Sequence, residues 1–120
     1  MSGSGGGGGG GGVYDDAPCE RVRFEAQITS PQGPVVATIA VGDVLDVVTA
    51  TMQNVLVVQV LKNGQVAGGL AGPDASRLRN CMEQGYSYRA TVVSVLGGQV
   101  RVRVELEHLL VRLDGLGGVR

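Results

Sequence analysis

Residues 86–107 read YSYRATVVSVLGGQVRVRVELE, two strand-length runs joined by Gly97-Gly98. In the second run, Gln99 to Glu107, apolar and charged residues alternate strictly. Val100, Val102, Val104 and Leu106 fall on one side, and Arg101, Arg103, Glu105 and Glu107 on the other. Successive side chains of a strand point to opposite faces, so this pattern calls for a sheet with one dry and one wet face. Two glycines supply the backbone freedom of a tight hairpin turn. Tyr86 to Leu96 is then the antiparallel partner strand, and this hairpin is the clearest element of the chain.

Upstream of the hairpin, one helix is expected over Asp74 to Gln84. Pro73 or Asp74 opens it, and an acidic residue at that end suits both the cap and the helix dipole. Leu78, Cys81 and Met82 recur at helical spacing on one face, and Gly85 stands where a C-terminal glycine cap belongs. Further back, Arg21 to Thr29 alternates with Val22, Phe24, Ala26 and Ile28 inward, and Ser30-Pro31-Gln32-Gly33-Pro34 forces a turn. Val35 to Val41 is expected as a second, mostly apolar strand, and Gly42-Asp43 as a turn. Val44 to Thr49 should then be a strand buried on both faces or curled into a barrel. Met52-Gln53-Asn54 reads as a loop and Val55 to Leu61 as a strand. Asn63-Gly64 predicts a type I′ turn, with Gln65 to Gly68 returning alongside. Gly68-Gly69-Leu70-Ala71-Gly72 reads as a connecting loop before the helix, lacking the lysine and Ser or Thr of a phosphate loop.

Strands in series, with one helix before the last pair, exclude a doubly wound parallel sheet. The fold class expected is mainly β: a small barrel or strongly curved antiparallel sheet with one helix, β-rich α+β, closed at one end by that helix. The domain is expected at residues 18–108. Residues 1–17 are expected as a disordered glycine-rich leader, because glycine loses the most backbone entropy on folding and has nothing to bury. Residues 109–120 are expected as an apolar, glycine-containing tail.

Of the 120 residues, 43% are hydrophobic and 3% aromatic, so the core must be built mainly from valine and leucine. The formal net charge of -1 gives no general pull toward nucleic acid. No signal peptide and no apolar run long enough to cross a membrane is visible, which makes a soluble, cytoplasmic protein the default expectation. His108 is the only histidine, and Cys19 and Cys81 are the only cysteines. A nucleophile–histidine–carboxylate set needs more than these, and so does a four-ligand zinc site. Cys81, on the apolar helix face, reads as a packed thiol. Whether Cys19 and Cys81 meet in a disulfide is left open by the spacing. No enzyme, cofactor or metal site is therefore expected, and no small-molecule substrate is evident.

What remains is binding. Arg101 and Arg103 share the wet face of one strand, Arg77 and Arg79 lie on the helix, and Arg89 sits on the paired strand. Together with Tyr86 and Tyr88, which could stack on bases, they are the candidate contacts to an anion or nucleic acid. Glu105 and Glu107 follow on the same face as the arginines, so a charge-mixed, solvated face is the alternative. Residues 66–104, QVAGGLAGPDASRLRNCMEQGYSYRATVVSVLGGQVRVRV with its leading Gln65, resemble the second half of HIRAN domains. There, too, a strand ending in glycine leads through a short loop to a helix and a strand pair. The resemblance implies a small β-barrel and binding of single-stranded DNA ends. The polar loop of that family has no counterpart here, so no functional residue carries over. The ending EHLLVRLDGLGG also looks like the end of ubiquitin-like modifiers, with Gly117-Gly118 as the di-glycine. Exposed strand edges and near-neutral charge favour a small non-catalytic binding or accessory module acting through protein–protein contacts, including self-association.

Overall fold

A computed structural model describes residues 18–108 of the chain. The leader and tail expected at 1–17 and 109–120, and Gly117-Gly118 with them, lie outside the described residues. A 3-10 turn at Cys19–Arg21 precedes β1 (Arg23–Gln27), and a one-turn helix α1 (Gly33–Val36) leads to β2 (Val44–Met52), β3 (Val55–Lys62) and β4 (Gln65–Leu70). Helix α2 (Pro73–Glu83) follows, then β5 (Ser87–Leu96) and β6 (Gln99–His108). The six strands form one antiparallel sheet in the order β1-β6-β5-β2-β3-β4. The mainly β, curved-sheet class expected from the sequence is the class observed.

The β5–β6 hairpin pairs as its alternation requires, with Val92 opposite Val102 and Ala90 opposite Val104. Gly97 and Gly98 take φ of 56° and 86°, as a type I′ turn demands. Asn63 and Gly64 do the same at 51° and 83°. A third such turn is made by Gln53 and Asn54 at 53° and 67°, so β2 and β3 also form a tight hairpin and Met52 belongs to the strand.

Bulges between Val60 and Leu61 and between Val92 and Ser94 bend the sheet. The bending brings its two edges together just beyond β1, where Thr29 and Gly69 exchange backbone hydrogen bonds of 2.8 and 2.9 Å. The ladder does not close into a barrel; one bridge joins the edges of an open, curved sheet. Gly68 makes the junction sterically possible, since a Cβ there would lie 2.7 Å from the Thr29 carbonyl oxygen and inside the Ile28 side chain. β4 therefore runs past the Gln65 to Gly68 expected and takes in Gly69 and Leu70 of the segment read as a connecting loop, and Gly72 at φ 92° turns the chain into α2.

The core is aliphatic as the composition requires, with Leu45, Val60, Val92, Val100, Val102 and Val104 fully buried from the sheet and Leu78 from α2. Helix α2 lays Ala75, Leu78 and Cys81 onto it and stops at Gly85, whose N–H bonds the Met82 carbonyl at φ 106°. Cys81 is not a free thiol: it is joined to Cys19, with the Cα atoms 5.6 Å apart.

Two further expectations are corrected. Val35 to Val41 is not a strand. Pro34, in the first turn of α1, has its φ already set for a helix and needs no amide donor. The Val35 and Val36 amides both bond the Gln32 carbonyl, and the Thr38 hydroxyl bonds that of Val35. Burial follows helical rather than alternate spacing: Val36 and Ile39 reach the core, while Ala37, Thr38 and Val41 do not. Nor is Val44 to Thr49 buried on both faces. Leu45 and Val47 point inward, whereas Val44 and Asp46 are exposed.

Candidate functional site

The outer face divides into two surfaces of opposite character. Across β2, β5, β6 and β1 the pairing aligns Asp46 with Arg89, Arg89 with Glu105, and Glu105 with Arg23. The next row sets Thr91 beside Arg103 and Arg103 beside Glu25, and the third sets Ser94 beside Arg101 and Arg101 beside Gln27. Opposite charges therefore meet across strands. Glu105 lies 3.4 Å from Arg23, 3.3 Å from Arg89 and 3.9 Å from Arg103, and Arg101 lies 3.6 Å from Glu25. Arg103 Nε is buried without a hydrogen bond, its contact with Glu105 being too long for one. The arginines are gathered on one face, as the alternation implied, but Glu25, Glu105 and Asp46 are set among them. A phosphate approaching Arg89 or Arg103 would have to displace Glu105.

The remaining candidate contacts serve the fold. The Tyr88 ring is buried and its hydroxyl donates to the Cys19 carbonyl at 2.7 Å, so it offers no face for a base to stack on. Burial pushes its phenol up to about 12, with Tyr86 and Glu20 adding to the rise. The Tyr86 hydroxyl donates to the neighbouring Glu20 carboxylate at 3.4 Å. Arg79 donates to the Leu56 carbonyl at 3.1 Å, pinning α2 to β3, and Arg77 is half-buried on the same helix. Arg77 and Arg79 thus stand at the α2 end of the sheet and do not join the charged face. Near α1, Asp43 accepts from the Ala40 amide at 3.0 Å and from Lys62 at 3.1 Å, and these bonds hold its carboxyl below the usual range. Lys62 also donates to the Thr38 carbonyl. The chain's only lysine is thereby spent on holding the α1 loop.

The second surface was not singled out from the sequence. On the outer side of the β2–β3 hairpin, Met52 pairs with Val55, Ala50 with Val57, Val48 with Gln59 and Asp46 with Leu61. Met52 and Val55 are more than half exposed, at 53% and 56%. Between Asp46 and Lys62 the sequence holds no charged residue at all. That signal was legible, but a valine-rich strand pair reads first as buried core. A shallow groove of about 270 Å³ continues this face toward the edge junction. Met52, Val57, Gln59, Thr29, Gln32 and Gly69 are among the residues that line it.

Among the described residues no cluster of three or more His, Cys, Asp or Glu side chains gathers, and no helix is long and apolar enough to cross a membrane. No protein-family model, no curated protein and no solved structure matches the chain.

Proposed function

We propose that this domain is a non-catalytic binding module that engages a protein partner through the uncharged outer face of β2 and β3 and the groove beside it. The observation that carries this reading is the exposure of Met52 and Val55 on a hairpin without a charged residue from Val47 to Leu61. Apolar side chains scattered singly on a surface mean little, but a contiguous uncharged patch rimmed by polar groups is the usual form of a contact site. The charged face does not compete as a nucleic-acid groove, because its arginines are balanced by carboxylates and phosphate contacts need an excess of positive charge along the path. The cystine favours an oxidising compartment over the cytoplasmic location expected by default, since cytoplasmic thiols are kept reduced.

The test compares three baits in extracts of the producing cell: the native domain, Val55→Lys, and Arg101→Ala with Arg103→Ala. Val55→Lys should lose partners held by the native domain, while the double arginine variant keeps them in both low and high salt. Retention by Val55→Lys, with loss by the arginine variant or on raising salt, would turn the assignment to the charged face.

A further inference from the structure

We infer that the Cys19–Cys81 bond is a redox-operated latch, whose reduction by a dithiol releases residues 18–21 from helix α2 while α2 and the sheet stay folded. The inference is independent of the β2–β3 surface.

The two partners of the bond are anchored very differently. Helix α2 is held to the sheet without it. Ala75 and Leu78 are buried at 6% and 0%, Arg79 donates to the Leu56 carbonyl at 3.1 Å, and Gly85 caps the helix end. The 3-10 turn Cys19–Arg21, by contrast, has no buried residue. The Tyr88 hydroxyl donates to its Cys19 carbonyl and the Tyr86 hydroxyl to Glu20. Hydrogen bonds at an exposed turn exchange with water and tether it weakly. Firm anchoring resumes at Val22, which is buried, and at β1, paired with β6 from Arg23 onward. A cystine between two buried elements is a staple of the core. One that joins a buried helix to a turn burying nothing restrains, within the native state, chiefly that turn. Its loss therefore costs local order before global order.

The two sulfurs also differ in access. Cys81 is 3% exposed on the core side of α2, whereas Cys19 is half-buried. A thiolate of the dithiol therefore attacks Cys19 Sγ. A bond forms between the reductant sulfur and Cys19, the Cys19–Cys81 bond breaks, and its electron pair leaves on Cys81, which takes up a proton. The second thiolate of the reductant then attacks the reductant's own sulfur in the mixed disulfide. It closes a cyclic disulfide and expels Cys19, which takes up the second proton. The protein gains two electrons and two protons, and the dithiol becomes its disulfide. Cys81 is left as a neutral thiol on the face that carries Ala75 and Leu78, where a thiol packs as a small apolar side chain. Opening gives the Tyr88 hydroxyl to water. It also withdraws Glu20 and Arg21 from a shallow pocket of about 330 Å³ that Arg89, Glu105 and Leu106 also line. In oxidising surroundings the latch is shut, and a dithiol opens it.

The test uses the full chain at 25 °C, oxidised and after dithiothreitol, followed by amide NMR and tyrosine titration. On reduction the signals of Cys19, Glu20 and Arg21 should move to random-coil positions, while those of Ala75, Leu78 and Val102 stay. The Arg21 and Val22 amides, which bond the Pro18 and Cys19 carbonyls, should exchange about tenfold faster or more. The Tyr88 midpoint should fall from about 12 toward about 10, and reoxidation should restore every signal. Cys19→Ala with Cys81→Ala should reproduce the reduced spectrum. Tyr88→Phe, with the cystine intact, should keep the turn ordered. Brief exposure to the monothiol glutathione should leave it attached to Cys19. Unchanged exchange at Arg21 and Val22 on reduction overturns the latch. So does loss of the Ala75, Leu78 and Val102 signals, which would make the bond a staple of the whole fold. A turn set free by Tyr88→Phe alone, or glutathione found on Cys81, overturns it too.

Discussion

Tyr88 belongs to the packed interior rather than to a contact surface. It sits at an inward position of β5, and alternation from Tyr86 placed both tyrosines on one face without telling which face was dry. The structure buries Tyr88 and gives its hydroxyl to the Cys19 carbonyl, so the ring packs beside the cystine. Because its folded pKa is raised, the neutral phenol is the form the fold prefers. That preference is fully present below the unfolded value of about 10 and is lost as pH rises through about 12. A spectrophotometric alkaline titration should therefore show a late-ionising tyrosine, with stability falling over the same interval. Tyr88→Phe should remove the late ionisation and cost about 1 kcal/mol of stability at neutral pH from the lost hydrogen bond. A phenol titration near 10 for every tyrosine would contradict the burial. His108, the single histidine, ends β6 opposite Ser87.

At the scale of elements, two of the three hairpin connections, Asn63-Gly64 and Gly97-Gly98, carried readable turn chemistry. The junction between β1 and β4 had no local signature. Gly68 and Gly69 looked like loop glycines, because glycine in sequence marks loops and close backbone approaches alike. Only the arrival of Thr29 against Gly69 distinguishes them. Gly68→Ala should destabilise the domain by about 2–4 kcal/mol, since the Cβ meets a backbone carbonyl and the Ile28 side chain and neither can move freely. Gly69→Ala meets Thr29 Oγ1 at 3.2 Å and Val58 O at 3.3 Å, and its cost should be smaller. Urea unfolding of the two variants, with amide exchange at Thr29 and Gly69, measures both the loss and whether the junction has opened. Equal stability of Gly68→Ala and the native protein would show that the edges do not meet. Helix α1 carries the complementary lesson: the valines favoured a strand, and Pro34 with the Gln32 carbonyl outweighed them over a single turn.

For the whole molecule, the largest constraint is covalent. The Cys19–Cys81 bond spans 62 residues and ties the 3-10 turn at the start of the domain to α2. The loop-entropy model gives such a cross-link up to about 4 kcal/mol, a large share of the stability of a domain this small. Thermal melts with and without reductant should differ by well over 10 °C, at roughly 4–8 °C per kcal/mol, and Cys19→Ala with Cys81→Ala should match the reduced protein. Coincident melts would mean the bond is absent or bears no load. The same whole-molecule view explains why the charged face is quiet. Arg103 stands two residues from Glu105 and Arg89 reaches it across the β5–β6 hairpin, but only the strand order brings Arg23 of β1 to the same carboxylate.

The sequence by itself determined the pleated alternation of β1 and β6, the glycine and Asn-Gly turns, the extent and cap of α2, and an aliphatic core. Each of these depends on residues within one turn or one hairpin, where local backbone preference and side-chain period act alone. The tertiary structure decided the strand order, the junction of the two sheet edges at Thr29 and Gly69, the meeting of Cys19 with Cys81, and the neutralisation of the arginines. It also decided that the β2–β3 hairpin turns an apolar face to solvent. These depend on which distant segments share space, and that is set by the curvature and register of the assembled sheet rather than by any short stretch of chain.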